Sequence, residues 1–414
     1  MKEEILTNLD NPKELEKLYR ANKGEFKQAF GMLYQTLKNN KLADAWNERL
    51  NYESNEINWG TSTELLFIVL ASLVAGNIAK IPAYFSINED FFYPRNVGFV
   101  VFPLLTIYFA WKNKLSTAKI ALIAGITLAS ILYINFLPDV KQSDTLVLAC
   151  LHLGLFLWSI LGFTFVGDQI NNENKRLGFL KYNGDLIVMT ALILIAGGIM
   201  SAITVGLFSL IGFRIEEFYF KYVGIFGISA APIVGTYLTL TNPQLVGKVS
   251  PVIAKLFSPL VLVMLVVYLT AIVYSGKNPY NDREFLLIFN ALLVGVLAII
   301  FFSVAETVKT PKNYLQVWVL LLLSIVTIIV NGVALSAIVL RIAEWGITPN
   351  RAAVLGSNLL ILINLLLVTA QLFKTLFRKS NISGVERAIA FYLPFYCLWT
   401  IIVTFLFPLI FGFK

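Results

Sequence analysis

Histidine is almost missing from this chain: His152 is the only one in 414 residues. One imidazole and two distant cysteines, Cys150 and Cys397, cannot supply the His/Cys ligand set of a zinc centre. No metal site and no cofactor is therefore expected. There is no phosphate-cradling glycine loop, no dinucleotide fingerprint, and no pair of aspartates within the apolar stretches. Nothing nominates a catalytic residue, and the chain reads more readily as a non-enzyme. The serines scattered through its apolar stretches leave a serine-based site open. Both cysteines fall inside apolar stretches, which suits small buried residues better than a disulfide framework.

Charge is scarce too. Only 14% of residues are charged and 57% are hydrophobic, against roughly 25% charged in ordinary soluble domains. Apolar segments of about 20 residues, each long enough to cross about 30 Å of hydrocarbon, recur from Leu65 to the end of the chain. The fold class implied is all-α, a polytopic integral membrane helical bundle. The net charge of +8 does not point to nucleic acid, because the basic residues are spread over short loops between apolar spans. There they set topology and meet the lipid bilayer. No secretory signal is expected, since mixed-charge sequence precedes the first apolar stretch.

The composition divides the chain into residues 1–60 and residues 61–414. In the first part, Asn11-Pro12-Lys13-Glu14 combines a cap residue with Pro at the first helical position. A helix from Pro12 places Leu15, Leu18 and Tyr19 on one side. A second, near Glu25 to Lys38, carries Phe26, Phe30, Leu33 and Leu37 at helical spacing, and a third carries Leu42, Trp46 and Leu50. Two readings stay open: a small helical module, or helices lying on the bilayer surface. Near-balanced charge argues against a purely electrostatic anchor.

Eleven spans are expected in the second part. They are Leu65–Ile81, Val97–Trp111, Ala118–Leu137, Asp144–Phe165, Asp185–Ile211, Phe218–Leu240, Leu256–Tyr274, Phe285–Val308, Tyr314–Trp345, Pro349–Phe377 and Ala388–Phe411. Thr61-Ser62-Thr63-Glu64 reads as a capping box opening the first. Val97–Trp111 is short, and if it is re-entrant the number of spans drops to ten. Lys and Arg are more numerous in the loops on the N-terminal side (Lys112, Lys114, Lys119; Lys175, Arg176, Lys181; Lys248, Lys255; Lys309, Lys312; Lys374, Arg378, Lys379, Arg387) than opposite, where Lys80, Arg95, Lys141, Arg214, Lys221, Lys277, Arg283, Arg341 and Arg351 fall, with Lys414 at the terminus. This excess puts the N-terminus in the cytoplasm.

The densest polar cluster in the apolar half is Arg341-Ile-Ala-Glu344-Trp345-Gly346-Ile-Thr348-Pro349-Asn350-Arg351. Trp345-Gly346 reads as a helix end, with Gly free to adopt the left-handed conformation. Thr348-Pro349 reads as the next helix start, Thr as cap and Pro at the first position. Arg341 and Glu344 are spaced for an ion pair on one face, and Arg351 lies across the turn. The cluster suits an anion or headgroup site with two guanidinium forks. It equally suits an anchoring charge cluster with Trp345 in the aromatic belt.

Inside the apolar helices, Asn331, Asn358 and Asn364 are candidate binding residues for a polar solute. Asn331 and Asn364 lie at near-equal distances from the turn, about 25 Å at 1.5 Å per residue, and are placed to bond across the hairpin. The competing reading, that they only join helices, is preferred because no acidic partner sits at that depth. His152 lacks carboxylate company for a proton relay and is expected to be packed and hydrogen-bonded. Pro232 is a candidate hinge, flanked by small residues at Gly227, Ala231 and Gly235, with Gly198 and Ala202 at the same spacing in the preceding span.

The Arg341–Arg351 stretch, together with Pro279-Tyr280-Asn281, resembles the bacterial membrane family called domain of unknown function 4153. The likeness covers the C-terminal half to two thirds. It implies an uncharacterised inner membrane protein and carries no activity with it. Two functional readings follow from the residues. The first is a scaffold or sensor whose residues 1–60 meet a cytoplasmic protein partner. The second is a transporter or channel for a small polar solute or lipid, using the three asparagines and the Pro232 helix.

Overall fold

The computed structural model describes residues 1–34, 37, 40–51, 59–140, 143–210, 214–247, 249–275, 283–307, 314–378 and 382–414. Residues 52–58, the segment Pro279-Tyr280-Asn281, and the expected span ends Ile211 and Val308 lie outside the described residues. All regular structure among the described residues is helical. The chain forms two compact units, Met1–Asn58 and Trp59–Lys414.

Among the described residues the first unit holds four helices: α1 (Lys2–Thr7), α2 (Pro12–Ala21), α3 (Lys23–Leu33) and α4 (Lys41–Asn51). Asn11 accepts from the Glu14 N–H at 3.4 Å, so Asn-Pro starts α2 as its sequence suggests. Helix α1 was not anticipated; it is a short turn with a single buried residue, Ile5. The apolar faces turn on one another. Ile5, Leu15, Phe26, Phe30, Ala43 and Trp46 form one buried core, so in this unit those faces are covered by protein. On its surface Glu16 Oε1 accepts from Arg20 at 2.8 Å and from Arg49 at 3.1 Å. The Arg20 hydrogen bond, seconded by Arg49 and opposed by desolvation, holds the Glu16 carboxyl below its ordinary range.

The second unit opens with α5 (Ser62–Ala79), α6 (Ile81–Phe85), α7 (Glu89–Lys112), α8 (Thr117–Phe136), α9 (Asp144–Val166) and α10 (Glu173–Leu210). The turn α11 (Glu216–Phe218), a π-helical stretch at Tyr219–Gly224 and α12 (Ile225–Thr241) then run on as one rod. After α13 (Pro243–Gly247) come α14 (Val249–Ser275), α15 (Arg283–Thr307), α16 (Tyr314–Trp345) and α17 (Pro349–Phe377). The last rod is α18 (Ser383–Ile401), a π-helical Ile402–Leu406 and α19 (Phe407–Ile410).

Each expected span falls largely on helix among the described residues. Among the described residues, however, eight helices are long and apolar enough to cross a membrane, and the described apolar parts of α14 and α15 are shorter, Phe257–Val267 and Asn290–Ala305. Helix α7 is outside the eight, because Glu89, Asp90, Arg95 and Asn96 dilute its hydropathy. It is nonetheless one uninterrupted helix of 24 residues with Pro94 and Pro103 inside it, not a re-entrant hairpin. An apolar bundle of this kind is consistent with a multi-pass membrane protein.

Two cores organise the bundle. One gathers α14 to α18 around Leu323, Val330, Leu365 and Ile389. The other gathers α5, α7, α9, α10 and α12 around Ala75, Tyr108, Leu161 and Ile233. Trp158 packs against both, its indole N–H donating to Asn183 Oδ1 at 2.8 Å. Small residues permit the closest approaches. Gly76 receives the Phe226 ring, and Gly356 receives Trp399, where an added Cβ would lie 2.1 Å from the indole.

Candidate functional site

The α16–α17 turn is built as its residues dictate. Helix α16 ends at Trp345, Gly346 sits at φ +76°, and Thr348 caps α17 by accepting from the Arg351 N–H at 3.4 Å. Pro349 occupies the first position of α17, where its missing N–H has no helical partner to lose. Arg351 reaches back and donates through Nη1 to the Trp345 and Gly346 carbonyls, at 3.0 and 2.7 Å. Those are orphan carbonyls at a helix C-terminus, which favours a cation. Arg341 and Arg351 flank the Trp345 ring at 6.0 and 5.6 Å from its centroid. Trp345 is 57% exposed. The Arg341 guanidinium, spaced on α16 for an ion pair with Glu344, lies towards the Trp345 ring. The cluster thus has one arginine closing the hairpin and a tryptophan within about 6 Å of two guanidinium groups.

The three amides are fully buried. Asn331 donates to the Asn358 main-chain carbonyl at 3.1 Å, and Asn358 donates to Asn290 Oδ1 at 2.8 Å, so α16, α17 and α15 are tied in series. Asn364 donates to the Tyr396 hydroxyl at 3.1 Å and ties α17 to α18. The expected Asn331–Asn364 bond across the hairpin is absent: equal depth does not make equal azimuth, and the two amides face different neighbours. The Oδ1 atoms of Asn331 and Asn364 are buried without a hydrogen-bond partner. Nor does Arg351 converge with Asn358, since one closes the turn and the other reaches Asn290.

Pro232 does not break its helix. The rod is continuous through it, and Thr236 Oγ1 donates to the Pro232 carbonyl at 2.9 Å while pairing with the Tyr182 hydroxyl at 2.8 Å. The departure from α geometry comes earlier, in the π-helical Tyr219–Gly224. Of the small residues at the expected spacing, Gly235 lies hard against Thr190 of α10, whereas Gly227 and Gly198 have no neighbour close to a notional Cβ. His152 bonds locally, its Nδ1 donating to the Leu148 carbonyl at 2.9 Å.

Several polar groups were not anticipated in their roles. Lys80 and Arg95, read from sequence as loop charges, are 2% and 3% exposed. Lys80 Nζ donates to the Lys221 carbonyl at 2.9 Å and lies 4.1 Å from the Tyr222 ring centroid, clasping the π-helical stretch. Arg95, inside α7, pairs with Asp139 at 3.1 Å. Glu64 also does more than cap α5. Its carboxylate accepts from Tyr108 OH and from Lys112 Nζ, the latter at 2.8 Å, joining the first turn of α5 to the last of α7. Close by, the Tyr237 hydroxyl donates to the Trp59 carbonyl. The sequence signal for the Glu64 link was available only as an acidic residue and a basic one at the two ends of neighbouring helices.

A cavity of about 470 Å³ lies between α8, α9, the start of α10 and α18. None of the seven predicted binding residues lines it. Compared with family models, curated proteins and solved structures, the chain matches none of them.

Proposed function

We propose that this chain is a multi-pass membrane scaffold or sensor component, inserted by eleven crossings in a bacterial inner membrane with its N-terminus in the cytoplasm. Its resemblance to the family called domain of unknown function 4153 belongs to the same proposal. The supporting observation is how the deep amides are used: each is fully buried and donates to a neighbouring helix, as groups that fix an assembly do. The Met1–Asn58 unit, with its own core and a polar surface, is then the part offered to a cytoplasmic protein partner.

The test places a photo-crosslinking residue at Met32, which is 56% exposed on that unit. Discrete adducts in cells, lost when the probe is moved to buried Phe30, support partner binding. No adduct from Met32 or from other exposed positions of the unit contradicts it. A cysteine at Met32 labelled by an impermeant reagent in intact cells would contradict the orientation. Transport of a polar solute keeps one observation in its favour, the unpartnered Oδ1 atoms of Asn331 and Asn364.

A further inference from the structure

The cavity between α8, α9, α10 and α18 has walls of Ile123, Phe156, Phe163 and Leu393, and only three polar side chains reach it, Ser159, Arg176 and Cys397. Its volume of about 470 Å³ falls within the range of small-ligand sites. The Ser159 hydroxyl is already committed to the Leu155 carbonyl at 2.9 Å. Arg176 is held differently. Pro394, inside α18, has no N–H, so the Ala390 carbonyl one turn earlier loses its helical donor. Arg176 Nη1 supplies that donor at 3.2 Å, and its Nε donates to the Ile170 carbonyl at 2.9 Å.

Two backbone carbonyls therefore fix the guanidinium at the edge of the trough with Nη2 uncommitted. Asp168 pairs with Lys119, and Glu173 with Arg387 at 3.1 Å, while Glu386, one turn before Ala390 on α18, keeps a buried oxygen without a hydrogen-bond partner and forms no ion pair with Arg176. Among the described residues Arg176 has no carboxylate partner, and Lys175 beside it adds a second positive charge. A trough of apolar side chains ending in an uncompensated, pre-positioned guanidinium is complementary to an amphiphile whose tail is apolar and whose head is anionic.

We propose that this trough is a specific site for an acyl chain of an anionic glycerophospholipid, with Arg176 binding the phosphate. The proposal rests on the membrane placement of the bundle and not on its scaffold role. A zwitterionic lipid offers the same phosphate, but its own ammonium offsets the charge that the guanidinium meets; free phosphate would leave the trough empty.

The experiment reconstitutes the full chain into nanodiscs of phosphatidylcholine containing a minority of phosphatidylglycerol, then counts retained lipids by native mass spectrometry. Wild type is expected to retain phosphatidylglycerol over phosphatidylcholine. Arg176→Gln should lower phosphatidylglycerol retention by about tenfold or more, the worth of one charge-assisted hydrogen bond, and phosphatidylcholine retention by less, so that the preference narrows. Arg176→Lys should keep part of the preference. Two filling variants, Ser159→Phe and Leu122→Trp at the exposed lip, should lower retention of both lipids. Glycerol phosphate, which has the head and no chain, should not displace the lipid. Equal retention of the two lipids, an unchanged preference in Arg176→Gln, displacement by glycerol phosphate, or a second copy of the chain covering the trough would each overturn the site. A chain that does not enter the nanodisc overturns the membrane placement instead.

Discussion

Asn331 and Asn358 sit in the same polar chain, yet replacing them should move stability in opposite directions. Asn331→Leu removes one donor bond to a main-chain carbonyl, worth about 0.6 kcal/mol on average within membranes. It also removes a buried carbonyl oxygen that has no partner, whose presence costs about 1–3 kcal/mol. The second effect wins, so the variant should be unchanged to about 2 kcal/mol more stable, Asn and Leu having similar shape. Asn358→Leu leaves the Asn331 bond in place, because that bond uses the Asn358 main chain. It strips Asn290 Oδ1 of its donor, and the cost should be about 1–2 kcal/mol. The assay is equilibrium unfolding in mixed micelles of increasing SDS content, followed by tryptophan fluorescence. If Asn331→Leu loses as much stability as Asn358→Leu, the reasoning fails.

Gly356→Ala would gain about 1 kcal/mol of helix propensity, but its Cβ would lie 2.1 Å from the Trp399 ring; overpacking costs about 1–3 kcal/mol, so a net fall in melting temperature is expected. Arg351→Ala uncovers the Trp345 and Gly346 carbonyls and should cost about 0.3–1 kcal/mol in the same melt, with Arg351→Lys recovering only part because one ammonium matches the fork geometry poorly. In the N-terminal unit, Trp46→Ala should cost about 3–5 kcal/mol, seen as rapid proteolysis of residues 1–58 while the bundle survives. Glu16 has a folded pKa below its unfolded value, so its contribution is full above the unfolded value and is lost as pH falls through the folded one. The difference between wild type and Glu16→Gln in proteolytic protection of this unit should therefore begin to shrink below about pH 4 and go on shrinking as pH falls further. A difference that widens as pH falls below that point would contradict the linkage.

Local punctuation was the legible part of this chain. Trp345-Gly346 and Thr348-Pro349 mark the ends of α16 and α17 as the structure has them, because left-handed φ and the proline ring act on the backbone directly. Asn11-Pro12 and Thr61-Ser-Thr-Glu64 succeed because the Asn11 and Thr61 side chains accept from first-turn N–H groups, a bond made within one turn of chain. What pairs with what was not legible. Asn331 and Asn364 are at matched depth, but azimuth around each helix and the positions of α15 and α18 decide their partners. Lys80 and Arg95 near the ends of apolar stretches look identical to loop charges until Tyr222 and Asp139 are placed beside them. Helix α7 was shortened in prediction because hydropathy starts late, whereas helical geometry starts at Glu89. The Arg176 trough left no pattern at all in sequence, since its elements come from four separate helices.

The central claim is that the deep amides are packing groups rather than the lining of a water-filled path. The most direct test replaces Cys150 and Cys397 with Ser and introduces single cysteines at Asn331, Asn358 and Asn364. The control is a cysteine at Ile347, which is 63% exposed at the hairpin turn. A membrane-impermeant thiol reagent should modify Ile347→Cys readily and leave all three deep positions protected. Labelling at Asn331 or Asn364 would show that water reaches those carbonyls within the bundle, and transport of a polar solute would replace the scaffold account.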